Sequence, residues 1–184
     1  MQNLLTNLSN TINRDLHIPV ISKEITITEQ NQNTSCKKVS LKSTASTIFA
    51  FSLDYKFPNG KQMFPFFEQS LANITKVNDC IIFYVCKKKI HVFLVELKSK
   101  NLCDYKKQLQ AGNNFINYLI RMMNLTFEKK YDILSEDIKC LVFTTRCMPT
   151  KQGTRRKKIK FTEINQLNIS YHPCGDTFYL ENFV

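Results

Sequence analysis

Hydrophobic residues fall along this chain in two spacings, every second position or every third and fourth, and the spacing predicts which element each stretch forms. Residues 21–28 alternate apolar and polar well enough for one strand, with room for a short helix before it. In 46–55, Ile48, Phe49, Phe51, Leu53 and Tyr55 predict a second strand, closed by the turn residues Pro58, Asn59 and Gly60. Over 62–74, Phe66, Phe67, Leu71 and Ile74 stand at helical spacing after Pro65, a residue suited to a first helical turn, and predict a short helix carrying Glu68. Residues 79–86 and 89–98 are two apolar, β-branched and aromatic runs parted by Lys87 and Lys88, which predicts a hairpin; the missing turn Gly or Asn suggests a slightly longer loop. The second run is apolar on both faces, as in a central strand covered on two sides.

Asn101 and Asp104 can cap the helix that follows, whose stripe is Leu102, Tyr105, Leu109, Gly112, Ile116, Leu119 and Met123. Further strands are predicted at 138–144, 167–171 and 177–180, the last two joined by a Gly-Asp turn. The order predicts a single α/β domain over 1–184, with a central mixed β-sheet flanked by helices on both faces. It divides into a polar N-terminal extension with a strand (1–45), a core (46–145), a basic loop (146–160) and terminal strands (161–184).

Composition narrows the class. With 184 residues and 43% hydrophobic residues, 14 of them Phe, the chain can bury a core without disulfides, which excludes wholesale disorder. The apolar runs are far shorter than the roughly 18 residues of a membrane-spanning helix, so no membrane partner is expected. The N-terminus lacks the basic start and apolar stretch of a signal peptide. Seven cysteines, an odd number, lie mostly inside predicted strands and helices, as with Cys80, Cys86, Cys103 and Cys140; they read as reduced thiols, and the location as cytoplasmic. A formal charge of +11 draws polyanions, with nucleic acid first among them, although ribosomal-type proteins and Lys-rich chains in general share it.

The hairpin yields candidate chemistry. If Lys87 and Lys88 are the whole loop, Cys86 faces Lys89, and the pairing carried down the ladder sets Asp79 directly opposite Glu96. Lys98, two residues further, projects to the same face. Opposed carboxylates are destabilising, and charges on an apolar central strand are costly unless paired or metal-bound. A divalent cation compensates well, because Mg²⁺ takes one or two carboxylates and completes its shell with water and phosphate oxygens. Such an ion beside a lysine is what phosphodiester hydrolysis requires.

Asp79, the Glu96-Leu97-Lys98 run at a strand end and the Gln108-Leu109 helix, in that order, resemble the PD-(D/E)XK nuclease superfamily, especially its small defence-associated members; the likeness covers roughly residues 62–145. It implies a restriction-endonuclease-like core and a Mg²⁺- or Mn²⁺-dependent endonuclease, acting on DNA ahead of RNA, in a defence or restriction role. It implies Asp79, Glu96 and the Leu97 backbone carbonyl as metal ligands, Lys98 as the catalytic lysine and Gln108 as its support. Glu68 falls where some members place a further acidic residue. Asn78 stands where the motif's Pro would be. A homodimer or a partner subunit of a larger complex is compatible with it.

Each residue also has a plainer reading. Glu96 and Lys98 can be a strand-end ion pair, Asp79 a turn residue, Gln108 an interfacial amide and Glu68 a solvated helix residue. The fold could equally serve a nucleic-acid-binding or scaffolding subunit that does not cut, or an RNA endonuclease. A zinc set of Cys140, Cys147, His172 and Cys174 has none of the common spacings. His91 falls on the face opposite Glu96. Arg146, Lys151, Arg155, Arg156, Lys157, Lys158 and Lys160 are either a solvated loop or a phosphate-binding one, and on a +11 chain they read as phosphate-binding. Each phosphate neutralised on duplex DNA adds a slope of roughly −0.9 in log K against log salt. Replacing Arg155, Arg156, Lys157 and Lys158 with Ser should therefore weaken binding to all sequences alike and flatten that slope by about one to three units. Salt titrations returning an unchanged slope would make the loop a solvated surface.

Overall fold

The computed structural model describes residues 2–29, 33–44, 47–55, 57, 63–68, 70–71, 74–146 and 159–184. In chain order its elements are helix α1 (Gln2–Thr11), strands β1 (Val20–Ile21), β2 (Glu24–Thr28), β3 (Lys38–Lys42), β4 (Thr47–Phe51), β5 (Cys80–Cys86) and β6 (Lys89–Lys98), helix α2 (Tyr105–Phe127), and strands β7 (Ile138–Thr144), β8 (Thr162–Ile164), β9 (Leu167–Pro173) and β10 (Thr177–Tyr179). Two mixed sheets make this an α/β structure: one ordered β4-β5-β6-β7-β9-β8, the other β1-β2-β3-β10. Residues 1–45 thus supply α1 and three of the four strands of the smaller sheet, more than an extension with a single strand.

In the larger sheet β4, β5 and β6 form an antiparallel meander, after which α2 carries the chain across to β7, parallel to β6; β9 is parallel to β7. A parallel neighbour needs such a crossover, because the chain must return to the same end of the sheet before running the same way. Consequently β4, β6, β7 and β9 all finish at one end. The β5/β6 turn is only Lys87 and Lys88, at φ 48° and 62°, and the ladder runs from Cys86 opposite Lys89 to Cys80 opposite Val95. Two-residue hairpins need left-handed backbone at both turn positions to match strand twist; here the flanking ladder imposes it on lysines, and no longer loop is needed. Ser22 and Lys23 turn the same way, which splits the strand expected over 21–28 into the β1/β2 hairpin.

The central strands are covered on both faces, by different layers. Val92 and Leu94 of β6 pack with Leu4 and Leu8 of α1 and Leu109 and Ile116 of α2. Phe93 and Val95, on the opposite face, pack with Ile25, Ile27, Val39 and Leu41 of the smaller sheet. Helices were expected on both faces; the structure places both on one face and the smaller sheet on the other. The alternation in β2 and β3 explains this, since a strand with one apolar face must bury it, at about 1.5–3 kcal/mol per fully buried aliphatic side chain.

Three further expectations change. The helix over 62–74 does not form: among the described residues there are only isolated turns, from Phe67 N–H to Phe64 O (3.1 Å), Leu71 N–H to Glu68 O (3.2 Å) and Ile74 N–H to Leu71 O (3.3 Å). Phe66, Phe67, Leu71 and Ile74 stay exposed, and a short helix without a buried face is marginal in water. Asp104 stands at the α2 N-cap but makes no side-chain capping bond; its carboxylate pairs with Lys76 (2.6 Å) and Lys107 (3.4 Å) instead. Cys36 and Cys174 are joined by a disulfide, so the cysteines are not all reduced thiols.

Gly112 marks where α2 comes closest to the sheet: a Cβ there would collide with the buried Asn78 Oδ1 and lie 3.3 Å from Leu94 Cδ2. Overpacking of this kind costs typically 1–3 kcal/mol. Gly112→Ala should therefore lower the melting temperature, by roughly 2–4 °C per kcal/mol at this size. An unchanged or raised melting curve would show that the helix can shift away without cost.

Candidate active site

Glu96 sits near the end of β6, between β5 and β7, and has no solvent exposure (0%). Its neighbours at even positions, Val92 and Leu94, face the α1/α2 layer, so the strand period sends Glu96 and Lys98 to that face. The β5/β6 ladder stops at Cys80 and Val95, and one step further Asp79 arrives opposite Glu96. Asp79 is locked there by accepting a 2.5 Å hydrogen bond from the Leu97 N–H. The Leu97 carbonyl leaves the strand on the side of its own N–H, so it too is directed toward Asp79.

Lys98 Nζ lies 2.6 Å from Glu96 Oε1 and donates a 2.6 Å hydrogen bond to Gln108 Oε1. Gln108 is held in turn, since its Nε2 donates to the Val77 carbonyl at 3.2 Å. Asp79, Glu96, Lys98 and Gln108 are therefore brought together by a hairpin and the first turn of α2. The ion pair of the plainer reading exists, but buried under a helix, where an ordinary strand-end pair would be solvated.

Burial dominates the electrostatics. Loss of solvent pushes the Asp79 carboxyl up to about 7, against the Leu97 N–H and Lys98, which pull it down; Glu29 and Asp54 add to the rise. Glu96 is driven well above the usual carboxylate range by burial first and by the Asp79 charge second, with Lys98 and the Asp79 backbone N–H opposing. Both Glu96 carboxylate oxygens are buried, and the contacts they gain are the Lys98 ammonium and the Asp79 backbone N–H. A carboxylate with no access to water is expensive even so, and a proton or a further cation relieves it. Two carboxylates and a backbone carbonyl at one strand end, of which Asp79 reaches a cleft, form an all-oxygen donor set of the kind that suits Mg²⁺ or Mn²⁺ with water and phosphate oxygens completing the shell. Among the described residues no three His, Cys, Asp or Glu side chains group closely enough to hold a metal by themselves, so the set depends on such added ligands.

Asp79 also lines a cleft of about 250 Å³ whose wall includes Asp15, Glu29, Ser52, Asp54 and Tyr55. None of Asp15, Glu29 and Asp54 stood out in the sequence. Asp54 carried a usable signal: β4 runs parallel to β6, so a residue just past Phe51 must emerge at the same end as Lys98. Glu29 carried none, because it arrives from the other sheet. Acidic side chains around this cleft contrast with a +11 chain.

The remaining candidates fall elsewhere. Glu68 is exposed in a turn and accepts from the Ser70 N–H at 3.0 Å; no helix carries it among the described residues. Arg146 is exposed just after β7, whose Thr144 is in register with Lys98, so Arg146 stands at the sheet end where the site lies. Lys160 is exposed; Lys151, Arg155, Arg156, Lys157 and Lys158 lie outside the described residues. The zinc set fails, because Cys174 is tied to Cys36 and burial pushes the Cys140 thiol up to about 12; Cys147 is outside the described residues. His91 is buried and faces away from Glu96, beside Tyr84. No helix among the described residues is long and apolar enough to cross a membrane.

Compared with family models, curated proteins and solved structures, the chain matches none.

A carboxyl whose folded-state pKa is raised contributes stability below the ordinary carboxylate range and loses it as pH climbs through the folded value. In EDTA, the melting temperature should therefore fall between about pH 5 and pH 8, the span ending just above the Asp79 value of about 7. Glu96→Gln and Asp79→Asn should each flatten that fall by several degrees. Equal slopes in wild type and both variants would mean that the two carboxyls are not strained as the geometry implies.

Proposed function

We propose that this chain is a metal-dependent nuclease with a PD-(D/E)XK-type core, hydrolysing phosphodiester bonds in nucleic acid, DNA ahead of RNA. The observation that carries the reading is the fully buried Glu96 carboxylate, 2.6 Å from Lys98 and opposite an Asp79 that opens into a cleft. An evolved protein keeps such a costly group where it has a task. The meander ending in Glu96-Leu97-Lys98, followed by a helix that presents Gln108 and then a parallel strand, supports the same family.

Asp79, Glu96 and the Leu97 carbonyl would hold the cation. Bound there, Mg²⁺ or Mn²⁺ supplies Lewis acidity toward a phosphate oxygen and a lowered pKa for water. Lys98 is placed by Glu96 and Gln108 together, so its ammonium has little freedom and can orient the attacking water or steady charge developing on phosphate. Gln108 acts through Lys98 as a positioning residue. The basic segment beginning at Arg146 would hold the phosphate backbone, and the net charge of +11 would steer the substrate in. A defence role is part of the same proposal, as is a cytoplasmic setting, against which the Cys36–Cys174 disulfide weighs.

Plasmid and single-stranded substrates should be cut with Mg²⁺ or Mn²⁺ and spared in EDTA. Asp79→Ala, Glu96→Ala and Lys98→Ala should each lower the rate by about 10²-fold or more with unchanged circular dichroism, the scale of removing one preorganised charge-stabilising group. Gln108→Ala should lower it less. A Lys98→Ala enzyme as fast as wild type would end the assignment of that lysine. Tight binding without cleavage in any metal would favour a non-catalytic binding subunit.

A further inference from the structure

A second recess, of about 700 Å³, lies between the segment that was expected to be a helix and the outer face of α2. Phe64, Phe66 and Phe67 form one wall, and Lys107 and Tyr118 belong to the other, with Lys76 at the edge. The three phenyl rings cluster, Phe66 and Phe67 edge-to-face at 4.7 Å between centroids. Phe66 is nonetheless 75% exposed and Tyr118 60%. Large aromatic faces left in water at a concave place mark a binding surface more often than chance does. The volume is that of a small-molecule site.

Chemistry selects the occupant. The charged residues lining the recess are both cationic, Lys76 and Lys107. Gln110 and Asn114 of the same wall bring side-chain amides, groups that donate to and accept from the edge of a base. The cationic edge also adjoins the candidate active site. Lys107 directly precedes Gln108, which holds Lys98, and Lys76 directly precedes Val77, whose carbonyl holds Gln108. A purely apolar peptide would leave the lysines with Asp104 alone and the two amides with each other, Gln110 Nε2 donating to Asn114 Oδ1 at 3.3 Å. A strand with phosphates on the lysines and bases on the rings uses all of them.

We propose that this groove is a subsite for unpaired bases, so that the favoured substrate is single-stranded nucleic acid, or a duplex with a frayed or looped-out strand, beside the scissile phosphate. The proposal rests on the nuclease reading for its choice of nucleic acid. A base within a duplex has its faces covered by its neighbours, and only an unpaired one can stack on Phe66 or Tyr118; such stacking is tolerant of sequence. The two lysines are shared with Asp104, at 2.6 and 3.4 Å, which keeps them at the groove edge until phosphate competes for them.

The test measures fluorescence anisotropy of a labelled single-stranded oligonucleotide, and of the duplex of the same sequence, with the full chain in EDTA. Wild type should prefer the single strand. Phe66→Ala and Tyr118→Ala, both at exposed positions that leave folding intact, should each weaken single-strand binding roughly ten- to hundredfold, the scale for loss of a stacking partner, and leave duplex binding unchanged. Phe66→Trp should retain affinity. Single-strand binding unchanged in both alanine variants would overturn the groove assignment, as would equal losses on single strand and duplex. So would a nucleic-acid-free dimer that Phe66→Ala converts to monomer, since a second copy would then be the occupant. If wild type cleaves with Mn²⁺ while the groove variants bind and cut as it does, only the groove proposal falls. If wild type neither binds nor cuts nucleic acid, both fall.

Discussion

A carboxylate with no access to water, placed on a central strand with one ammonium beside it, is the constraint from which the rest of this site follows. Glu96 cannot be relieved by moving, because β6 is hydrogen-bonded to β5 on one side and β7 on the other. It cannot be relieved by solvent, because α2 lies over its face. Lys98 and the Asp79 backbone N–H relieve it only in part, since its carboxyl is still held well above the usual range. What remains is a proton or a cation, and the second carboxylate at Asp79 makes each more favourable by raising the cost of two bare negative charges side by side. The hydrogen bond from the Leu97 N–H keeps Asp79 from swinging away. Hairpin register, helix position and site electrostatics are thus three views of one arrangement, and loosening any of them would change the other two.

The layers exist to make that burial possible. The larger sheet is apolar on both faces, and a sheet so built must be covered twice. Helices α1 and α2 cover one face and the smaller sheet the other, with β10 returning from the end of the chain to pair with β3. The Cys36–Cys174 disulfide joins the approach to β3 with the exit from β9 and so fastens the two sheets near the end where β6 and β7 finish. At that same end Asp54 and Glu29 arrive from different sheets to flank Asp79. Ligand sites commonly lie beyond the carboxyl ends of strands in α/β sheets, because loops diverge there and leave room. The cleft follows that rule.

Charge is distributed against the average. A chain of net +11 gathers carboxylates at one cleft and lysines with aromatic rings at a neighbouring groove. A bare acidic cleft would repel a phosphate, so cation binding and substrate binding would be coupled: the ion converts the one repulsive spot on an attractive surface into its most attractive one. The groove asks nothing of the cation, which is why binding measured in EDTA and cleavage measured with metal separate the two.

Much of this was legible in the sequence, for a physical reason. Adjacent strands joined by a tight turn have their register set by local counting, so the approach of Asp79 to Glu96 followed if Lys87 and Lys88 were the whole loop; turn chemistry pointed to a longer one, and the ladder decided for two residues. The α2 stripe from Tyr105 to Met123 and the strand at 138–144 were equally local, because burial periodicity is written residue by residue. What lay beyond reach depends on pairings between distant segments. That Ile25, Ile27, Val39 and Leu41 form a second sheet over β5 and β6, that Cys36 meets Cys174, and that Glu29 stands at the cleft are all decided by contacts whose sequence separation leaves no periodic trace. The 62–74 segment shows the converse. Its apolar spacing suits a helix, yet spacing states only which residues would share a face, and tertiary structure decides whether anything covers that face. Here the rings of Phe66 and Phe67 remain exposed, and a helix with nothing to bury has no reason to form.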